Sequence, residues 1–271
     1  MEAAATVARV VLDSPLPQLD HLFDYSVPAE LSGQVRPGVR VRVPLRSAGR
    51  VADGFVVELA EPDAAFSGTL SPIEAVVSPV PVLTEPVWRL AHRSAGTASD
   101  ILRLAVPARM VRVEKAWLAA REQADDASGA PKATQEDAPV EPVHFPVRGY
   151  AAGVLEAAVA AGERLALRPI PRLSRLPDGT WVGEWAVTLA ALATATWRSG
   201  ATAIVAVPDH RDLEQLAAAL AAIAPASAVV RADASQSNPD RYKGFLAALS
   251  GPRIVIGNRS VVYAPASRLG L

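Results

Sequence analysis

Along the first eighty or so residues, apolar positions come in short runs broken by Pro, Gly or charge. Thr6–Leu12, Val39–Leu45, Gly54–Leu59 and Ile73–Val77 each predict a strand of a small β-barrel or sandwich. Within Val39–Val43 the alternation has period two, which puts Arg40 and Arg42 on one face and the valines on the other. From Glu85 to about Leu104 the spacing of Val87, Leu90, Ile101 and Leu104 becomes helical, with Gly96 as an interruption and Pro107 as a stop.

The texture then changes. Residues 121–143 mix acidic side chains with Ala, Ser, Gly and Pro and contain almost no large apolar residue. Such a segment buries too little surface to offset its ordering entropy, so a flexible acidic linker is expected at about 111–145. It separates a domain over 1–110 from a second over 146–271. In the second, helices at 150–161, 184–198, 213–223 and 241–249 alternate with apolar stretches at 164–167, 201–207, 227–231 and 253–256. That succession predicts parallel strands with helices on both faces, a three-layer α/β arrangement.

Composition narrows the possibilities. Half of the 271 residues are apolar and a fifth are charged, as in a globular protein. A net charge of −1 excludes a uniformly basic coat but leaves room for a local basic patch. With no cysteine, neither a disulfide nor a cysteine-ligated zinc can form within these residues, and His21, His92, His144 and His210 lack metal-ligand spacing. The N-terminus does not read as a signal peptide, and no apolar run reaches the length of a membrane span. A soluble cytoplasmic protein without membrane partners is expected.

Four stretches carry candidate chemistry. In Phe23-Asp24-Tyr25 two aromatics flank a carboxylate. They could meet a base or ribose and a hydroxyl, or form a strand edge with Phe23 in the core. Arg36, Arg40, Arg42, Arg46 and Arg50 are opposed in their window only by Asp53, which suits phosphate contact or a solvated strand face. Asp209 suits an N-cap, with His210 and Arg211 beside it. The run Arg253–Ser260 is an apolar strand entering a polar, cationic turn, where Arg259 and Ser260 could hold a phosphate. A nucleotide-hydrolysing α/β domain needs a glycine-rich loop ending in Gly-Lys-Ser/Thr. No such loop occurs, and 168–185 holds prolines where backbone donors would be required.

These pieces together resemble the bacterial primosomal protein N′ (PriA) family of replication-restart proteins. The matching motifs are PLPQLDHLFDYSVP at 15–28, GVRVRVPL at 38–45, DILRLAVP at 100–107, AIVAVPD at 203–209 and RIVIGNRSVVYAP at 253–265. The resemblance implies a small β-barrel-like 3′-end DNA-binding domain followed by part of a RecA-like helicase lobe. It implies that Phe23, Asp24 and Tyr25 receive the 3′ end of a nascent strand, with Arg40, Arg42, Arg46, Arg259 and Ser260 on DNA phosphates. The family's Gly-Lys-Thr falls on Glu184, Trp185 and Ala186, as expected of a branch without helicase activity. A lysine common in the family falls on Glu74, and a glycine on Arg46.

The resemblance further implies forked and single-stranded DNA as ligands. Primosome proteins, single-strand-binding protein and the replicative helicase loading machinery are the implied partners. The family's zinc site would lie beyond Leu271, so the chain is expected to be a fragment with no cofactor of its own and no ATP site. The leading expectation is a restart protein that binds forks without motor activity. An ATP-dependent 3′–5′ helicase with a diverged nucleotide site and a protein-interaction adaptor are the alternatives.

Overall fold

A computed structural model describes residues 6–45, 49–61, 68–93, 96–126, 147–168 and 171–271. The chain divides into two compact units, Met1–Val106 and Pro107–Leu271.

Unit 1 is an antiparallel sheet of β1 (Val7–Leu12), β2 (Leu22–Ser26), β3 (Arg40–Leu45), β4 (Arg50–Ala60) and β5 (Ala75–Ser78), in the order β2-β1-β4-β3-β5. The alternation anticipated at Val39–Val43 holds: Val39, Val41 and Val43 are fully buried together with Ala8, Val10 and Val56. Each valine so buried contributes about 1.5–3 kcal/mol. Arg40 and Arg42 point to the other face. The two ends of the sheet order approach each other, because Ser26 N donates to the Ser71 carbonyl and Ile73 N donates to that of Ser26, both at 3.0 Å. Two helices follow, α1 (Glu85–Arg93) and α2 (Ala98–Ala105), with the interrupting Gly96 between them. A capping box of Thr97 and Asp100 starts α2, and the Asp20 carboxylate accepts its Ala98 N–H at 2.8 Å.

Unit 2 opens with α3 (Val111–Asp126), so the stretch expected to be linker begins as a helix. The reason is a polar anchor that composition hides. Glu114, 1% exposed, accepts two hydrogen bonds from Arg109 at 3.0 and 2.7 Å and one from the Tyr242 hydroxyl. The remainder of the expected linker, 127–146, lies outside the described residues. After α4 (Val154–Ala160), the strand expected at 164–167 is absent: those residues are irregular, with Leu165 exposed. In its place β6 (Leu173–Arg175) and β7 (Trp181–Gly183) form an antiparallel hairpin.

The parallel sheet follows as read from the periodicity, through α5 (Glu184–Arg198), β8 (Ala203–Ala206), α6 (His210–Ala221), β9 (Val229–Ala232), α7 (Asn238–Ser250) and β10 (Ile254–Gly257). Its order is β8-β10-β9, all parallel. Ile254 and Ile256 pack into one cluster with α5 and α6, whereas Val255 joins Val230 and Ala248 of α7, so helices cover both faces. Residues 268–271 run along the outer side of β8, where Thr202 N donates to Arg268 and Ile204 N to Leu271, each at 2.7 Å. No described helix is long and apolar enough to cross a membrane.

Candidate nucleic-acid interface

The register of unit 1 collects charge on the sheet face opposite the valine core. Arg9 of β1 lies directly across from Asp24 on β2 and Glu58 on β4. A bulge after Arg9 realigns the strands, after which Arg40 stands opposite Phe55 and Arg42 opposite Asp53. Because directly opposed residues share a face, Asp24, Arg9, Glu58, Arg40 and Arg42 all project from one side. Asp24 is half-exposed and lies 3.6 Å from Arg9 Nε, while Arg9 Nη1 donates to Glu58 at 2.7 Å. The Arg9 guanidinium is therefore shared between two carboxylates. Arg40 sits over the Phe55 ring at 5.0 Å, and Arg42 Nε meets Asp53 at 3.3 Å. From β2 to β3 is roughly 14 Å, three strand spacings.

Alternation splits the Phe23-Asp24-Tyr25 group. Phe23 and Tyr25 point toward the core, Phe23 half-buried and Tyr25 4% exposed, while Asp24 points out. The Tyr25 hydroxyl donates to the Pro44 carbonyl at 3.3 Å, and burial pushes its phenol above the ordinary value. Period-two alternation thus sets Tyr25 in the core and Asp24 on the opposite face. Phe23 is only partly buried, and its ring centroid lies 4.1 Å from that of His21. Arg46 lies outside the described residues.

In unit 2 the carboxyl ends of three strands meet at one edge. Asn258 Nδ2 donates to the Val207 carbonyl at 3.1 Å, tying the turn after β10 to that after β8. Gly257 is required by close approach: a methyl group there would stand 2.2 Å from the Ala232 carbonyl oxygen. Arg259 projects exposed from a short 3-10 turn at Arg259–Tyr263, with Ser260 half-buried beside it. Asp209 caps α6 by accepting from Asp212 N at 2.9 Å. On the same edge Arg231 bonds to Glu214 and Asp233 and is thereby neutralised. Arg231 in turn holds the Glu214 carboxyl below its ordinary range.

At the start of α5, Glu184 and Ala186 are enclosed by protein. Glu184 is the first residue of α5, 5% exposed, and accepts a hydrogen bond from the Ser174 hydroxyl. The Trp185 indole covers Gly183, leaving no room for a side chain there, and Ala186 is fully buried. A carboxylate thus occupies the helix N-terminus that would otherwise attract an anion.

Comparison with known proteins supplies the context for this face. The family model for the PriA 3′ DNA-binding domain (3′BD) matches residues 9–107. A probable replication restart protein PriA of Mycobacterium tuberculosis strain H37Rv is 42% identical over 261 residues, covering 94% of this chain and 36% of the relative. Its counterpart in Mycobacterium leprae is 40% identical over the same length, 37% of that relative. The chain belongs to the PriA family. It spans roughly a third of the length of these relatives. The replication restart protein PriA of Bacillus subtilis is 32% identical over 84 residues, 31% of this chain.

Phe23, Asp24, Tyr25, Arg40 and Arg42 all fall inside the matched PriA 3′ DNA-binding domain, whereas Arg259 and Ser260 fall outside it. Sequence reasoning missed Arg9 and Glu58. Each sits in an apolar strand where an isolated charge reads as solvated, and only the register reveals that both flank Asp24.

Proposed function

We propose that this PriA-family chain recognises the 3′ end of a nascent DNA strand at forked or abandoned replication DNA. The observation that carries the reading is Asp24. It is a half-exposed carboxylate, incompletely neutralised by Arg9, inside the matched 3′ DNA-binding domain and on the same sheet face as Arg40 and Arg42. A carboxylate accepts a hydrogen bond from a terminal 3′-hydroxyl and repels a 3′-phosphate. The half-buried Phe23 offers a ring edge to the last sugar or base, and Arg40 and Arg42 take the phosphates behind it. Of these two, Arg40 is the freer, since Asp53 already engages Arg42. Arg46 belongs to the same proposal through sequence alone.

The second unit serves as a helicase-like, RecA-type lobe without a motor. Helices on both faces of its parallel sheet support that fold, as the return of residues 71–73 to β2 supports a barrel-like first unit. The buried Glu184 repels a triphosphate where a P-loop would attract one, so ATP binding is not part of its role. Arg259 and Ser260 then face nucleic-acid rather than nucleotide phosphate. In the cytoplasm the chain marks the fork for assembly of primosome proteins, single-strand-binding protein and the helicase-loading machinery.

The test is fluorescence anisotropy on identical forks ending in 3′-hydroxyl or 3′-phosphate. One charged hydrogen bond predicts about tenfold tighter binding of the hydroxyl form. Equal affinities for the two ends would contradict the reading.

A further inference from the structure

We infer that the β6–β7 hairpin is a second, sequence-tolerant contact for single-stranded nucleic acid, with Trp181 as a base-stacking platform and Arg175 as a phosphate ligand. The inference deepens the DNA-binding role proposed above and concerns a surface that role does not use.

Three observations converge on the hairpin. Its register pairs Arg175 with Trp181 and Leu173 with Gly183, so Leu173, Arg175 and Trp181 share the outward face. Leu173 is 65% and Trp181 62% exposed, which for an indole on a well-packed element leaves a large ring face open to solvent. The inward residues Val182 and Leu176 are buried at 1% and 3% in the same cluster as α5 and α6. Gly183 N donates to the Gln215 carboxamide at 2.8 Å and Glu184 N to the Arg172 carbonyl at 2.9 Å. The exposed face is therefore held by a fixed support, as a stacking platform needs.

Charge decides the ligand. Between 164 and 181 the chain carries Arg164, Arg168, Arg172 and Arg175 against the single Asp178. All four arginines are exposed, and none has an ion-pair partner among the described residues. The Asp178 carboxylate is engaged within its own turn by Thr180 N and Oγ1, both at 2.9 Å. An exposed indole paired across the hairpin with Arg175, in a segment this rich in arginine, matches a polyanion with flat, stackable rings better than an apolar protein surface. Position agrees. Because α5 leads by a short turn into β8 and packs against it, its first residue lies at the carboxyl edge of the sheet. The hairpin that ends at Gly183 thus shares that edge with the exposed Arg211 and Arg259.

The experiment uses the full chain and a labelled thymidine oligomer of about 20 nucleotides with a 3′-phosphate, which blocks recognition at Asp24. Trp181→Ala is expected to weaken binding at least about fivefold and Trp181→Phe by no more than about twofold. Arg175→Gln is expected to lower the slope of log K against log salt by about 0.7, one single-strand phosphate contact. Every substituted side chain is exposed, so folding is retained. Unchanged affinity in Trp181→Ala together with an unchanged salt slope in Arg175→Gln overturns the inference. If 3′-hydroxyl preference on forks survives in that case, the Asp24 reading stands alone. If the oligomer responds to Trp181 while forks show no end preference, the hairpin stands and the 3′-end reading falls.

Discussion

Asp24 and Tyr25 are neighbours in the chain and opposites in the sheet, and their chemistry follows from that. Asp24 reaches solvent beside a guanidinium it shares with Glu58, while Tyr25 spends its hydroxyl on the Pro44 carbonyl inside the core. Replacing Tyr25 by Phe should cost about 1 kcal/mol of stability in urea unfolding and change fork affinity by less than about twofold. A large loss of fork affinity at retained stability would make Tyr25 a DNA contact after all. Strand alternation was available in the sequence at this point. Applied to Leu22–Ser26 as it was to Val39–Val43, it separates the carboxylate from both aromatics. Arg9 was not legible, because its partners stand 15 and 49 positions away in sequence and only strand register joins them.

Among the elements, those with long apolar periodicity were readable and those made by polar anchors were not. The helix at Glu184–Arg198 matches its expected bounds, since an unbroken alanine-rich stretch leaves little else to form. Helix α3 escaped notice because its sequence is charged, and its place is fixed by one buried carboxylate. Glu114→Ala would leave Arg109 and the Tyr242 hydroxyl without that acceptor, and is expected to destabilise the second unit by about 3–5 kcal/mol in urea unfolding. A change below about 1 kcal/mol would show that the anchor contributes little. The β6–β7 hairpin did carry a signal, Asp178-Gly179 between apolar positions, which favours a tight turn.

On the scale of the whole chain, a matched 3′ DNA-binding domain precedes an α/β unit whose helix N-terminus holds a buried glutamate. Such a molecule should show DNA-stimulated ATP hydrolysis no higher than the protein-free baseline in a phosphate-release assay, and turnover above it would restore a motor role. The parallel pairing of strands in the second unit was legible from periodicity alone. The charge row at Asp24 was not, because it exists only once β1, β2 and β4 are side by side. The most direct test of that row is a thermodynamic cycle pairing Asp24→Ala with removal of the terminal hydroxyl. Fork affinities are measured for wild type and variant on 3′-hydroxyl and 3′-deoxy ends. The wild type should lose about tenfold on the 3′-deoxy end, and the variant should bind both ends equally. The same tenfold ratio in both proteins would show that another group reads the 3′ end.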